Sequence, residues 1–163
     1  MTALRVSPDG LRAMVGKELE PSEWELIDQA RIDAFAQVTG DRQFIHIDRE
    51  KAKDSPFGGT VAHGLLVLSL LPALIEKSVP IPSDVGVTVN YGYNKIRFPS
   101  PVRNGKRVRA KFLISEFSVP SPGRYQLVFT VTVEIEGESK PALVAEWIGI
   151  CLVNDAKEEE NRS

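Results

Sequence analysis

Both histidines of the chain, His46 and His63, fall in one stretch. It reads Thr39-Gly40-Asp41-Arg42-Gln43-Phe44-Ile45-His46-Ile47-Asp48, and then Phe57-Gly58-Gly59-Thr60-Val61-Ala62-His63-Gly64-Leu65. An imidazole has an ordinary pKa of about 6.5 and exchanges protons at neutral pH. A carboxylate beside it can hold a water or take the opposite proton role. Gly64 stands where an apolar segment begins, and the first residues of a helix leave N–H groups unpaired and partly positive. A glycine there leaves its own N–H unobstructed, ready to donate to an oxyanion. Asp41, His46 and Gly64 together suit proton transfer and addition beside a carbonyl. Taken by spacing alone, Asp41 and His46 also fit a turn held by local hydrogen bonds. Asp48 reads better as a helix cap than as a catalyst, and His63 as a structural loop residue shaping the turn before a helix.

The elements that must position these groups can be read from pattern. Ser7-Pro8 resembles an N-cap with proline at the first helical position, predicting a short helix through Met14 that ends at Gly16. Glu23 to Ile27 alternates weakly, as a strand would. Asp28 caps a helix whose apolar stripe is Ile32, Phe35 and Ala36, and Gly40 stops it. Asp41 to Ile47 is therefore expected to be loop, carrying both Asp41 and His46. Asp48 caps a further short helix through Lys53, and Ser55 to Gly59 is loop. Gly64 to Lys77 predicts a central helix, apolar over its whole circumference and so buried on every side, with a kink at Pro72. Four strands follow, at about 85–98, 106–118, 124–136 and 141–153, the later ones separated by turn segments at Pro120–Gly123 and Glu136–Ser139. Pro99 and Pro101 suit a strand end or an edge. One apolar helix followed by an antiparallel meander predicts an α+β layout, the sheet wrapped around the helix.

The bulk composition bounds the rest. A chain of 163 residues, 42% hydrophobic and 26% charged, predicts one domain over 1–154 with a sizeable core. The acidic end, 155–163, is expected to be a disordered tail. It carries the whole net charge of −2, so the body is neutral, which argues against broad nucleic-acid binding. The single cysteine, Cys151, cannot form an internal disulfide and reads as a buried strand residue. The N-terminus has no signal-peptide pattern, and the longest apolar stretch is too short to span a membrane, so the expected compartment is the cytoplasm. Val85 to Ser115 contains seven cations, Lys95, Arg97, Arg103, Lys106, Arg107, Arg109 and Lys111, and no acid. They are either solvated strand faces or an attraction for an anionic ligand.

Residues 35–75 resemble the signature of the MaoC-like, (R)-specific enoyl-CoA hydratase family. That signature runs Thr-Gly-Asp-x-Asn-Pro-x-His-x-Asp, Phe-Gly and Ala-His-Gly ahead of an apolar helix. It corresponds here to Thr39–Asp48, Phe57-Gly58 and Ala62-His63-Gly64. Lys95 to Val102 with Gly105 resembles the family's downstream Arg-Phe-x-x-Pro-Val-x-x-Gly segment. Within the family the likeness is to the branch called nodulation protein N-like. The resemblance implies a hot-dog fold and reversible hydration of trans-2-enoyl-CoA to (3R)-hydroxyacyl-CoA. Asp41 and His46 would hold the water, their acid and base roles unassigned, and the Gly64 N–H would stabilise the enolate oxygen. It also implies a homodimer with sheets joined edge to edge, an acyl-CoA substrate, no metal, and no cofactor beyond the coenzyme A of the substrate.

Two positions depart from the family pattern. Gln43-Phe44 replaces Asn-Pro, so these two residues are expected to reshape the substrate pocket. Pro72 stands where some members carry a serine, leaving Ser69 as the nearby hydroxyl on the helix. Lys95 and Arg97, with Arg103, Lys106 or Arg107, are candidates for the phosphates of coenzyme A. Two other readings compete with the hydratase. One is a hot-dog thioesterase, disfavoured because Gly64 to Ile75 contains no acid. The other is a non-catalytic acyl-thioester-binding protein, kept open by Gln43-Phe44.

Overall fold

The computed structural model describes residues 4–76 and 78–154, so the tail expected at 155–163 lies outside the described residues. A two-residue strand β1 (Arg5–Val6) leads into α1 (Pro8–Arg12). Ser7 caps α1, its hydroxyl accepting from the Gly10 N–H at 3.0 Å. The helix is shorter than its sequence pattern predicts. Met14 and Val15 already bond three residues back, to Leu11 and Arg12, and this tightened turn ends at Gly16 with φ +77°. Strand β2 (Glu25–Ile27) precedes α2 (Gln29–Thr39). Asp28 caps α2 by accepting from the Arg31 N–H at 2.9 Å, and Gly40 closes it in the left-handed conformation at φ +78°.

Two short helices follow, α3 (Phe44–Ile47) and α4 (Arg49–Lys53), the second capped by Asp48 as expected. The apolar segment is two helices, α5 (Gly64–Ser69) and α6 (Leu71–Ile75), where one kinked helix is predicted. Pro72 has no N–H to give, and its ring crowds the carbonyl four residues back, so the ladder breaks at Leu70. Leu66, Val67, Leu71 and Leu74 are buried. Leu65 is 61% exposed, so the segment is not buried on every side.

After β3 (Ile81–Pro82) come four long strands: β4 (Val85–Arg97), β5 (Lys106–Ser121), β6 (Arg124–Ile135) and β7 (Leu143–Val153). The β5–β6 hairpin turns later than the sequence indicates, at Pro122-Gly123, with Gly123 at φ +73°. The five-stranded antiparallel sheet has the order β2-β5-β6-β7-β4, so β4 lies beyond β7 as an edge. Alternate residues of the central strands, such as Val108, Ala110, Phe112 and Ile114 of β5 and Phe129, Val131 and Val133 of β6, face one core with α5 and α6. Register shifts in β4 and β5 bend the sheet around those helices. This is the hot-dog arrangement, α+β.

Candidate active site

The site grows from the end of α2. Gly40 reverses the chain and releases Asp41 to the surface, where its carboxylate accepts from the Gln43 N–H at 3.4 Å. That contact starts a new helical turn. The His46 N–H bonds the Gln43 carbonyl and the Asp48 N–H bonds the Phe44 carbonyl, both at 2.9 Å. His46 therefore sits on α3 and not on the loop expected for it.

Two direct contacts from remote residues, and the bonds that brace them, fix His46, which is 7% exposed. Its Nδ1 lies 2.7 Å from the Val61 carbonyl. The Val61 N–H returns a bond to the Ile45 carbonyl at 3.0 Å. The Gln29 side-chain amide donates to the His46 carbonyl at 2.8 Å and to Asp33 at 2.8 Å. Gln29 in turn accepts from the Thr60 hydroxyl at 2.6 Å. A carbonyl only accepts, so Nδ1 carries the hydrogen and the neutral ring leaves a lone pair on Nε2. Burial lowers the His46 pKa from 6.5; the Val61 carbonyl opposes this, His63 adds to it, and Asp41 opposes it. The neutral, proton-accepting form is favoured.

His63 is 3% exposed and stacks on His46 with ring centroids 3.7 Å apart. It is the backbone N-cap of α5, yet its side chain makes no cap bond. Its Nε2 lies instead 2.9 Å from the carbonyl oxygen of Asp41. The Asp41 carboxylate and one nitrogen of each histidine lie within 4.8 Å of one another. One nitrogen of each ring is already held by a backbone carbonyl, that of Val61 for His46 and that of Asp41 for His63.

Gly64 opens α5 beside this group. A Cβ there would meet the Phe98 ring at 2.9 Å, so glycine is required by close approach. Phe98 comes from the downstream segment already noted for its prolines. That segment is zipped to the chain before Gly64: Ala62 N–H to Val102 carbonyl at 2.8 Å, and Asn104 N–H to Thr60 carbonyl at 3.0 Å.

The remaining candidates are less closely gathered. Gln43 is the N-cap of α3 without a side-chain cap bond, and Phe44, 46% exposed, begins that helix next to Asp41. The Ser69 hydroxyl donates to the Leu66 carbonyl of its own helix at 2.7 Å, at the far end of α5 from Gly64. Lys95 and Arg97 are exposed on the edge strand β4. The other cations divide: Lys106, Arg107, Arg109 and Lys111 pair with Glu138, Glu136 and Glu134 at 2.6–3.2 Å, as solvated strand faces do. Among the described residues Lys95, Arg97 and Arg103 pair with no carboxylate. Burial pushes the Cys151 thiol up to about 11, so it is no nucleophile at neutral pH. Sequence reasoning missed Gln29 and Thr60 as supports of the site, because no local pattern marks them; Phe98 falls in the downstream family segment, but its contact with Gly64 is not visible in the sequence. A cavity of about 410 Å³ opens between α6 and the sheet, lined by Pro72, Ile75, Leu127, Phe129, Trp147 and Ile150 among others.

Residues 11–137 match the MaoC like domain. The chain is 43% identical to Nodulation protein N of Rhizobium meliloti (strain 1021) over 91% of its own length and 93% of that protein. It is 44% identical to 3-hydroxyacyl-thioester dehydratase Z of Mycobacterium tuberculosis over 85% of its length and 91% of that protein. The (R)-hydratase from A. caviae involved in PHA biosynthesis superposes with a TM-score of 0.68 at 21% identity, covering 82% of this chain and 95% of that one. On a matched domain that takes in Asp41, His46 and Gly64, and on relatives aligned nearly end to end, the chain belongs to the MaoC-like dehydratase family of hydro-lyases.

Proposed function

We propose that the protein reversibly adds water to trans-2-enoyl-CoA, giving (3R)-hydroxyacyl-CoA, with Asp41 and His46 holding the water. The observation that carries this reading is the gap between the Asp41 carboxylate and the His46 ring, within 4.8 Å. One water making two hydrogen bonds of about 2.8 Å at a tetrahedral angle spans roughly 4.6 Å. His46 Nε2 takes a proton from that water while Asp41 accepts its other hydrogen. The water oxygen bonds to C3, and the C2–C3 π pair shifts onto the thioester oxygen, held by the Gly64 N–H at the start of α5. The imidazolium then returns its proton to C2 and the thioester carbonyl re-forms. The dehydratase name of one relative fits the reverse direction.

The other assignments follow the same reading. Phe44 and Gln43 border the entry to the pair, and Ser69 flanks the acyl path along α5. The apolar cavity beyond α6, which none of Asp41, His46 and Gly64 lines, has the volume of a small-molecule pocket and would take the far end of a long acyl chain. Lys95 and Arg97, uncommitted to any carboxylate among the described residues, meet the phosphates of coenzyme A, and no metal or separate cofactor takes part. Residues 1–154 act as one hot-dog domain. A homodimer forms through β4, an unpaired edge with Val87, Val89 and Tyr91 exposed. A single buried thiol suits the reducing cytoplasm, and among the described residues no helix is long and apolar enough to cross a membrane.

Crotonyl-CoA is the test. Its enoyl absorbance is expected to fall without release of free thiol, and Asp41→Asn or His46→Ala to abolish the change. Full activity in both variants overturns the mechanism, and thiol release without hydration identifies a thioesterase.

A further inference from the structure

We propose that His63 is a positioning residue, the clamp that keeps Asp41 and His46 in register with each other. The inference rests on the hydratase reading above. His63 touches both members of the pair by different means. Its ring lies flat against His46 at 3.7 Å, and its Nε2–H reaches the backbone carbonyl of Asp41 at 2.9 Å. Phe35 packs against the same ring at 5.0 Å, so the imidazole is wedged between α2 and α3.

A residue that only shaped the turn before Gly64 would need neither contact. The side chain gives α5 no cap bond. Its Nδ1 is buried without a partner, a cost that an apolar ring of similar size would avoid. What the imidazole adds over such a ring is the N–H to Asp41. Asp41 itself is on the surface, and the bonds of its own stretch are long: its N–H donates to the Thr39 hydroxyl at 3.4 Å, and its carboxylate accepts from the Gln43 N–H at 3.4 Å. The His63 bond is the short one that ties this carboxylate-bearing residue to buried structure.

The arrangement also acts on charge. The titratable groups that reach His46 are Asp41, from the turn after α2, and His63, from the cap of α5. Asp41 favours the imidazolium and His63 disfavours it. Without His63, the balance at His46 shifts toward the protonated ring, which cannot accept a proton from water.

Two variants separate the contacts. His63→Phe keeps a flat ring and loses the N–H; His63→Gln keeps an N–H donor and loses the ring. Each is expected to lower kcat by about 10²-fold, the cost of misplacing a reacting group by an ångström, with KM little changed. In both, the acidic limb of the kcat/KM profile moves to higher pH. The His46 ring signal, followed by NMR in the folded variants, is expected to titrate at higher pH to match. Unfolding curves establish which variants are folded, and either one suffices for the NMR reading. Wild-type kcat and an unmoved acidic limb in His63→Phe overturn the inference while leaving the hydratase reading intact. If the wild-type protein turns over no enoyl-CoA, the hydratase reading falls. The NMR titration then decides alone, and His46 titrating at an unchanged pH overturns the clamp.

Discussion

Gly64→Ala isolates the contact on which the proposed oxyanion donor depends. A Cβ on Gly64 would lie 2.9, 2.9 and 3.1 Å from three atoms of the Phe98 ring. Carbon atoms in ordinary contact sit at about 3.5–4.0 Å, so an overlap of roughly 0.5–1 Å must be relieved. One of the three atoms is Cγ, so a rotation about the ring axis relieves nothing and the whole ring must swing from χ1. Overpacking of this kind costs about 1–3 kcal/mol. Phe98 is 43% exposed and can yield toward solvent, which places the cost at the lower end. In a domain of this size each kcal/mol moves Tm by about 2–4 °C. Against this stands the helix propensity of alanine, which alone favours the variant by up to about 1 kcal/mol. The part of the overlap that the ring does not absorb displaces the start of α5, and the expected loss in kcat/KM on crotonyl-CoA is about 10²-fold. A double-mutant cycle with Phe98→Ala checks the cause. The second substitution removes Cγ and both Cδ atoms, so the cycle is expected to be non-additive by more than about 0.5 kcal/mol, and the Tm loss caused by Gly64→Ala disappears in the Phe98→Ala background. A Gly64→Ala protein that is more stable than wild type with unchanged kcat/KM refutes the reasoning. So does a cycle that is strictly additive.

Four further outcomes follow from the structure. Because burial holds His46 below its ordinary 6.5, hydration should persist as pH falls through that value and fade only at the lowered one; Asp41→Asn, which removes a charge favouring the imidazolium, lowers the His46 pKa further, read by NMR. The unfolded chain binds this proton more readily than the folded one, so His46's contribution to stability is complete above about pH 6.5 and shrinks as pH drops toward the lowered value, a trend that urea melts between about pH 5 and 7 should show. Gln29→Leu strands the His46 carbonyl and the Thr60 hydroxyl in the core; we expect a loss of about 1–3 kcal/mol by calorimetry, with kcat falling as His46 loses its anchor. The Cys151 thiol, buried and raised to about 11, should react with a disulfide reagent at pH 8 only as fast as the protein opens, and a stoichiometric fast reaction in the folded state would contradict its burial.

Much of the scaffold was legible because its signals are local. Asp28 and Gly40 bracket α2, and Asp48 caps α4, since each cap bonds a backbone group within one turn. The strands announced themselves by alternation, because each buries one face. The failures share a physical cause, which is dependence on partners far along the chain. The 64–77 pattern looked like one buried helix because apolar residues occur on every side. The pattern does not reveal that the ladder breaks at Leu70 or that Leu65 faces outward. His46 looked like loop because Gly40 had just ended a helix, while α3 is held by the Thr60-Val61 segment and by Gln29, from two other places in the chain. The basic run left two readings, solvated strand faces or an anion site, and the first holds for Lys106, Arg107, Arg109 and Lys111. Its acids, Glu134, Glu136 and Glu138, lie across the hairpin and cannot be seen from a window on β5 alone. Asp41, His46 and Gly64 were legible as a set only through the family signature, since an acid, a histidine and a glycine at that spacing occur for many reasons.

The two signature segments make physical sense together once their pairing is known. Thr60 to Ala62 runs against Val102 to Asn104 as a short ladder, with a bridge between Val61 and Arg103. Gly105 then bonds the Ile27 carbonyl, tying that ladder to the strand that leads into α2. Val61 is the hinge of the design. It pairs with the downstream segment, and its carbonyl takes the Nδ1–H of His46. The tautomer of His46 is thereby set by a backbone group whose own position is set by the sheet. Phe98 closes the other end of the same segment over Gly64. Pro99 and Pro101 have no N–H, so the connection between Phe98 and Val102 leaves no unpaired donor at those two positions. In the proposed mechanism the downstream segment would serve the pair without supplying a reacting group. Precision at Asp41 and His46 comes from the rigid elements behind them, and substitutions in 98–105 should therefore register in kcat before they register in KM.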